Sequence, residues 1–270
     1  MNELLQDLSE GVLTLSINRP EQHNTLTATL SAQLKVALLE SAERTEVRCV
    51  VITGVGNVFC AGGDVANVSN KEGIPESATD NQSKALKSQA DVIREGSETI
   101  RVLYELPKPT LAIMPGAAAG SGLALALACD LRFCLDTAKL TTAFSRLGLS
   151  GDCAGSFLMS QLIGPAKTKE LFFTSDVVSG AQALKMGLVN QVASIDTFAQ
   201  EARSFAERLA ALPTVALAHI KQNVNAAQES SISSVLDLEA NNIALCMQTA
   251  DHQAAVAAFL NKEVVNFVGR

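Results

Sequence analysis

Apolar and polar residues alternate from Val12 to Asn18, reading V-L-T-L-S-I-N, and the run stops at Arg19-Pro20. A period of two marks a half-buried strand. Leu30, Leu34 and Leu38 then recur at helical spacing between Thr27 and Arg44, with Thr27 placed to cap the helix. Cys49 to Ile52 is continuously apolar, as a strand covered on both faces would be. Gly54, Gly56, Gly62 and Gly63 punctuate the loop that follows, and the polar stretch from Ser69 to Gln82 reads as a mobile surface segment. The pattern predicts a helix over Ser83–Leu106, stopped by Pro107 and Pro109, and a strand over Thr110–Met114. A small-residue stretch from Gly116 to Gly122 leads into a short helix, Leu123–Ala128, and strands at Leu131–Leu135 and Lys139–Thr142.

This alternation of strands and helices implies β-α-β units and an α/β fold. From Thr197 the pattern becomes almost wholly helical, over Phe198–Ala211, Thr214–Ala227, Ile232–Gln248 and His252–Leu260. The expected organisation is a core over residues 1–195 and a helical region over residues 196–270. No internal repeat or low-complexity tract interrupts either part.

Composition narrows the function. With 270 residues, 47% of them hydrophobic, the chain can bury one large core with a smaller appendage, or two modest domains. A net charge of −7 argues against nucleic acid, whose phosphates need a basic stripe, yet leaves room for a local Lys/Arg pocket around a small anion. The most apolar stretch, Leu123–Cys129, is too short to span a membrane. The acidic start Met1-Asn2-Glu3-Leu4 lacks the basic region of a signal peptide. The 6 cysteines are scattered without C-x-x-C spacing, so structural zinc is not expected and a reducing cytoplasmic compartment is.

Two segments carry chemistry: Phe59-Cys60-Ala61-Gly62-Gly63-Asp64, and Gly116-Ala117-Ala118-Ala119-Gly120-Ser121-Gly122. Each follows a predicted strand, and the second opens into a helix. Small side chains let a ligand approach the backbone, and free N–H groups at a helix start attract negative charge. Two such loops side by side could aim two amides at one oxygen, an oxyanion hole; either loop alone reads more simply as a tight turn. Gly54-x-Gly56 is not completed to a dinucleotide fingerprint because Phe59 takes the third position, and no P-loop or G-x-S-x-G elbow exists. Only His23, His219 and His252 could offer imidazole catalysis, and the last two lie in the helical tail.

Together these segments resemble the crotonase (enoyl-CoA hydratase/isomerase) family over nearly the whole chain. The matching motifs are Asn18-Arg19-Pro20 with Asn24-Thr25-Leu26, Val51-Ile52-Thr53-Gly54, the two glycine clusters, Lys108-Pro109-Thr110, Cys129-Asp130, Gly187-Leu188-Val189 and Ala258-Phe259-Leu260-Asn261-Lys262. The resemblance implies a ββα spiral core, a helical C-terminal trimerisation region, and a homotrimer or dimer of trimers. It implies an acyl-CoA thioester as substrate, with coenzyme A part of that substrate and no tightly bound cofactor or metal. By the same resemblance the amides of Gly63 and Ser121 hold the thioester oxygen, although position 121 is usually glycine in the family. Backbone around Ala61 would meet the adenine. Gly62, Asp64, Gly120 and Phe144 would line the substrate, Asp64 chiefly as a turn residue and Phe144 as an apolar wall. Lys262 would reach phosphates on a neighbouring subunit, or stand as a solvated tail charge.

Hydratases of the family carry two glutamates where Ala124 and Phe144 stand here. Neither residue can move a proton, and hydration needs both an acid and a base. One carboxylate remains: Asp152, in Leu149-Ser150-Gly151-Asp152-Cys153-Ala154-Gly155, resembles the proton-shuttling Asp of epoxyphenylacetyl-CoA and enoyl-CoA isomerases, and the nucleophile of chlorobenzoyl-CoA dehalogenase. It could equally be an N-cap for a helix from Cys153 or Ala154. The dehalogenase pattern also has a Trp at the Phe144 position and a His on the long helix. This chain has no Trp, and Ser83–Leu106 has no His. The expectation is an enoyl-CoA isomerase with Asp152 as its single base. Other crotonase chemistry (hydration, thioester hydrolysis, ring opening) and a catalytically weak acyl-CoA binder stay open.

Overall fold

The structure, a computed structural model, describes residues 2–63 and 89–270. The surface segment expected at Ser69–Gln82, residues 83–88 of the expected long helix, and Asp64 lie outside the described residues.

Six strands form the larger sheet in the order β1 (Leu4–Ser9), β2 (Val12–Ile17), β3 (Cys49–Gly54), β5 (Thr110–Met114), β7 (Leu131–Leu135), β10 (Gln191–Ala193). Four short strands form the second: β4 (Val58–Cys60), β6 (Ala117–Ala119), β8 (Lys139–Thr141), β9 (Val178–Ser179). All pairings are parallel except β1–β2 and β8–β9. Along the chain a strand of the large sheet is followed by one of the small sheet and then by a helix. β5 and β6 lead to α3 (Ser121–Leu127), and β7 and β8 lead to α4 (Gly155–Thr174). This stepping is the ββα spiral that the resemblance implied.

The continuous apolar run of β3 has a direct cause. Val50 and Ile52 enter one buried cluster with Leu15, Leu34, Leu38 and Phe59, while Cys49 and Val51 enter another with Leu111 and Phe133. α1 (Ala28–Glu43) supplies Leu30, Leu34 and Leu38 to the first cluster, and the Thr27 hydroxyl accepts the Leu30 N–H at 3.0 Å as its cap. The second cluster is closed by α6 (Phe198–Ala210), whose Phe198 and Phe205 rings lie 5.5 and 6.2 Å from Phe133.

Three differences from the sequence pattern have physical reasons. β1 escaped the pattern because only Leu4 of its residues is buried, so no alternation is written in it. The expected long helix is broken: residues 89–96 are helical, Ser97 is a turn, and α2 (Glu98–Glu105) follows. The Ser97 hydroxyl bonds back to the Ile93 carbonyl at 2.9 Å, the local competition that makes serine a weak helix former. α3 begins at Ser121, two residues before the expected Leu123, because the small residues there pack into the core rather than forming a loop.

α5 (Gly180–Met186) returns the chain to β10. The last helices, α7 (Thr214–Ala227), α8 (Ile232–Cys246) and α9 (Ala250–Asn261), bury little of themselves against the core. They are tethered by polar contacts instead. Lys221 pairs with Asp130 at 3.0 Å, and the Arg48 guanidinium donates to the Leu212 and Phe267 carbonyls at 2.7 and 2.6 Å.

Candidate active site

Because β4 and β6 run parallel, with Val58 opposite Ala117 and Cys60 opposite Ala118, their ends bring the two glycine clusters side by side. Gly62 has φ +98°, and a Cβ there would stand 2.8 Å from the Ala119 carbonyl and 3.5 Å from the Ser121 nitrogen. Only glycine permits that approach. The Gly62 carbonyl accepts the Leu26 N–H at 2.8 Å, which ties the first cluster to the start of the chain, and the Ala61 N–H donates to the His23 carbonyl at 3.1 Å. Gly120 (φ +53°) turns the chain into α3 with no side-chain cap, leaving Ser121 at the first helical position with an amide the helix cannot use. Neither the Gly63 nor the Ser121 N–H donates to a backbone carbonyl among the described residues. A Cβ on Gly122 would fall 2.3 Å from the Cys60 carbonyl, so α3 is seated on β4 by the absence of a side chain.

Asp152 meets this cradle through Ser121. One carboxylate oxygen, Oδ1, accepts the Cys153 N–H at 2.6 Å and the Ser97 hydroxyl at 3.2 Å; the other, Oδ2, faces the Ser121 hydroxyl at 3.4 Å. The N-cap reading of Asp152 is corrected here. The helix begins at Gly155, its N-cap is Ala154 with φ +53°, and no side chain caps it. Left-handed backbone at Cys153 and Ala154 separates Asp152 from the helix by a tight turn, and its carboxylate accepts the Cys153 N–H rather than an amide of the helix. The neighbouring Cys153 thiol is pushed up to about 11, first by burial and then by the Asp152 charge, and stays a neutral thiol at pH 7.

A cavity of about 790 Å³ opens over Asp152, walled by Ile93, Ser97, Ile100, Tyr104 and Phe157. Tyr104 and Phe157 meet edge to face, ring centroids 6.2 Å apart, and divide it from a second cavity of about 420 Å³ beneath α7. Asp152 is the only carboxylate lining the larger cavity among the described residues. Where hydratases would carry glutamates the surroundings are apolar. Ala124 is buried, 3.4 Å from where a Cβ on Gly155 would stand, and Phe144 stacks on Phe172 at 6.0 Å behind Gly120.

The expected residues Gly62, Gly63, Gly120, Ser121, Phe144 and Asp152 thus gather at one place. Lys262 does not join them. It is the exposed C-cap residue of α9, outside the cavity lining and without an ion-pair partner among the described residues. Ser97 is the residue the sequence pattern missed, because a serine inside a helical stretch carries no signal and its contact with Asp152 spans 55 positions. Among the described residues no group of three His, Cys, Asp or Glu side chains could hold a metal ion, and no helix is long and apolar enough to cross a membrane.

The family model for enoyl-CoA hydratase/isomerase matches residues 7–270. The chain belongs to this family, the crotonases. It is 34% identical over 270 residues to the 1,2-epoxyphenylacetyl-CoA isomerase of Escherichia coli K12, covering 100% of both chains. It is 30% identical over 256 residues to 4-chlorobenzoyl coenzyme A dehalogenase-2 of an Arthrobacter species, covering 95% of this chain and 90% of the relative. The solved structure of an enoyl-CoA hydratase from Polaromonas sp. JS666 superposes with a TM-score of 0.87 at 32% identity, over 98% of this chain and 99% of that one. As a crotonase, the chain processes acyl-CoA thioesters.

Proposed function

We propose that this crotonase moves the double bond of an enoyl-CoA, with the Gly63 and Ser121 amides holding the thioester oxygen and Asp152 as the single base. The observation that supports it is that Asp152 is the one carboxylate of the cavity lining among the described residues. Asp152 is anchored through Oδ1 and leaves Oδ2 toward Ser121, while Ala124 and Phe144 withhold the second acid–base group that hydration uses. In the first step the α C–H bond breaks, its proton passes to Oδ2, and the electron pair spreads onto the thioester oxygen. In the second the thioester carbonyl re-forms, the enolate pair becomes a double bond between the α and β carbons, and the π pair of the broken β–γ double bond takes the same proton from Oδ2 onto the γ carbon. Each amide aimed at the developing charge contributes about 3 kcal/mol in sites of this kind. The 1,2-epoxyphenylacetyl-CoA isomerase relative agrees with a base that rearranges rather than adds water. Dehalogenation finds less support, since no Trp exists in the chain and residues 89–105 contain no His.

The reading carries further expectations. Ile220, Val224, Leu236 and Ile243 of α7 and α8 are more than half exposed, an apolar face suited to the packing of residues 196–270 in a homotrimer. In that trimer Lys262 would reach the coenzyme A phosphates of a neighbouring subunit, and Ala61 the adenine, in a cytoplasmic enzyme. The test is a 3-enoyl-CoA. The purified protein should convert it to the conjugated 2-enoyl thioester, read by absorbance and mass spectrometry, and Asp152→Asn should not. Full activity in that variant removes Asp152 as the base, and hydration of a 2-enoyl-CoA as the main activity removes the isomerase reading.

A further inference from the structure

We infer that Ser97 is the positioning residue of Asp152, holding Oδ1 so that Oδ2 alone exchanges protons with the substrate; this rests on the reading of Asp152 as the base. A base that takes a proton from one carbon and returns it two carbons away must keep the same oxygen on the substrate through both steps. A free carboxylate does not, because rotation interchanges its oxygens. Here the oxygens differ. Oδ1 receives two donors, the Cys153 N–H at 2.6 Å and the Ser97 hydroxyl at 3.2 Å, whereas the Ser121 hydroxyl lies 3.4 Å from Oδ2, at the outer limit of a hydrogen bond. Two donated bonds make Oδ1 the poorer proton acceptor and stop the rotation. Oδ2 is also the oxygen on the Ser121 side, next to the amide that holds the thioester.

The Ser97 hydroxyl has a second acceptor, the Ile93 carbonyl at 2.9 Å, and only one proton to donate. While Asp152 is ionised, that proton can point at Oδ1. When Oδ2 has taken the substrate proton and the charge is gone, the hydroxyl can turn back to Ile93 with no buried polar group stranded. The rotor follows the proton without any movement of backbone. Its placement comes from the break between residues 89–96 and α2, where Ser97 sits as the turn residue. The interruption of the helix is what sets the hydroxyl over the turn that carries Asp152.

Exchange of the α-protons of a saturated acyl-CoA in D2O, followed by mass spectrometry, measures proton removal apart from double-bond movement. The wild type should exchange and Asp152→Asn should not. Ser97→Ala and the near-isosteric Ser97→Cys should each lower kcat for exchange about tenfold with KM within about twofold, and Ser97→Thr, which keeps the hydroxyl, should return to within about threefold of wild type. Wild-type exchange in either folded variant overturns the proposal, as does a loss confined to KM or one that Ser97→Thr fails to restore. Isomerisation of a 3-enoyl-CoA is followed in parallel. Exchange without isomerisation removes the isomerase reading and leaves Ser97 judged by its own exchange rate, isomerisation without exchange leaves Ser97 judged by the same changes in kcat for isomerisation, and a wild type that does neither overturns both.

Discussion

The proposed oxyanion cradle and the Asp152 turn stand side by side and are built in opposite ways. The cradle is backbone: two amides placed by parallel pairing of β4 and β6 and by glycines at 62 and 122 that leave no room for a side chain. The Asp152 turn works through a side chain, a carboxylate oriented by the Cys153 N–H and by hydroxyls from Ser97 and Ser121. A backbone device is indifferent to most substitutions as long as the fold persists, so it suits what a family shares. Side chains at Ala124, Phe144 and Asp152 can change without disturbing it, and in the proposed reaction they decide which proton moves.

That contrast can be broken at several points. The largest effect is expected at Asp152→Asn, where turnover of the proposed reaction should fall roughly a thousandfold with the melting temperature close to wild type, since a general base contributes on the order of 10²–10⁴. Next comes Gly122→Ala, which places a methyl 2.3 Å from the Cys60 carbonyl. It should lose about a hundredfold in kcat and also about 3 kcal/mol of stability in denaturant titration, because moving α3 displaces the Ser121 amide. An unchanged melting curve with full activity there would show that the cradle is not locked by packing.

A smaller effect separates the regions by charge. Cys153 is pushed up to about 11, so its reactive thiolate is scarce at pH 8 and grows as pH rises toward that value. Alkylation of Cys153, mapped by peptide mass spectrometry, should accelerate about tenfold per pH unit from 8 to 10, and Asp152→Asn should speed it at fixed pH by removing the neighbouring negative charge. The smallest change is expected at Ser121→Gly, which keeps the amide and deletes the 3.4 Å hydroxyl contact with Asp152. A fall in kcat of about twofold to threefold would fit a weak contact, whereas a loss as large as that of Asp152→Asn would mean the hydroxyl itself carries the proton.

Elements whose pattern reflects burial were legible in the chain. β5 and β7 begin and end where the apolar runs do, and α1 starts at its Thr27 cap. Elements whose pairing is decided elsewhere were not. β1 is exposed along all but one residue and exists because β2 offers it a partner. The same holds at the site: glycine clusters and the Asp152 motif stand out in one dimension, but Ser97 becomes visible only once the helix before α2 is laid across the turn at residues 151–154.

By itself the amino-acid sequence determined the layered α/β core, the two glycine clusters and the loss of the paired glutamates, because hydrophobic period, backbone permissiveness and proton-bearing groups are properties of the residues themselves. The tertiary structure decided that Asp152 lies apart from the helix it precedes, that its two oxygens are unequal, and that Ser97 and Ser121 stand on either side of it. Those facts depend on contacts across 31 and 55 positions of chain, where distance is set by how the helices pack and no local preference records it.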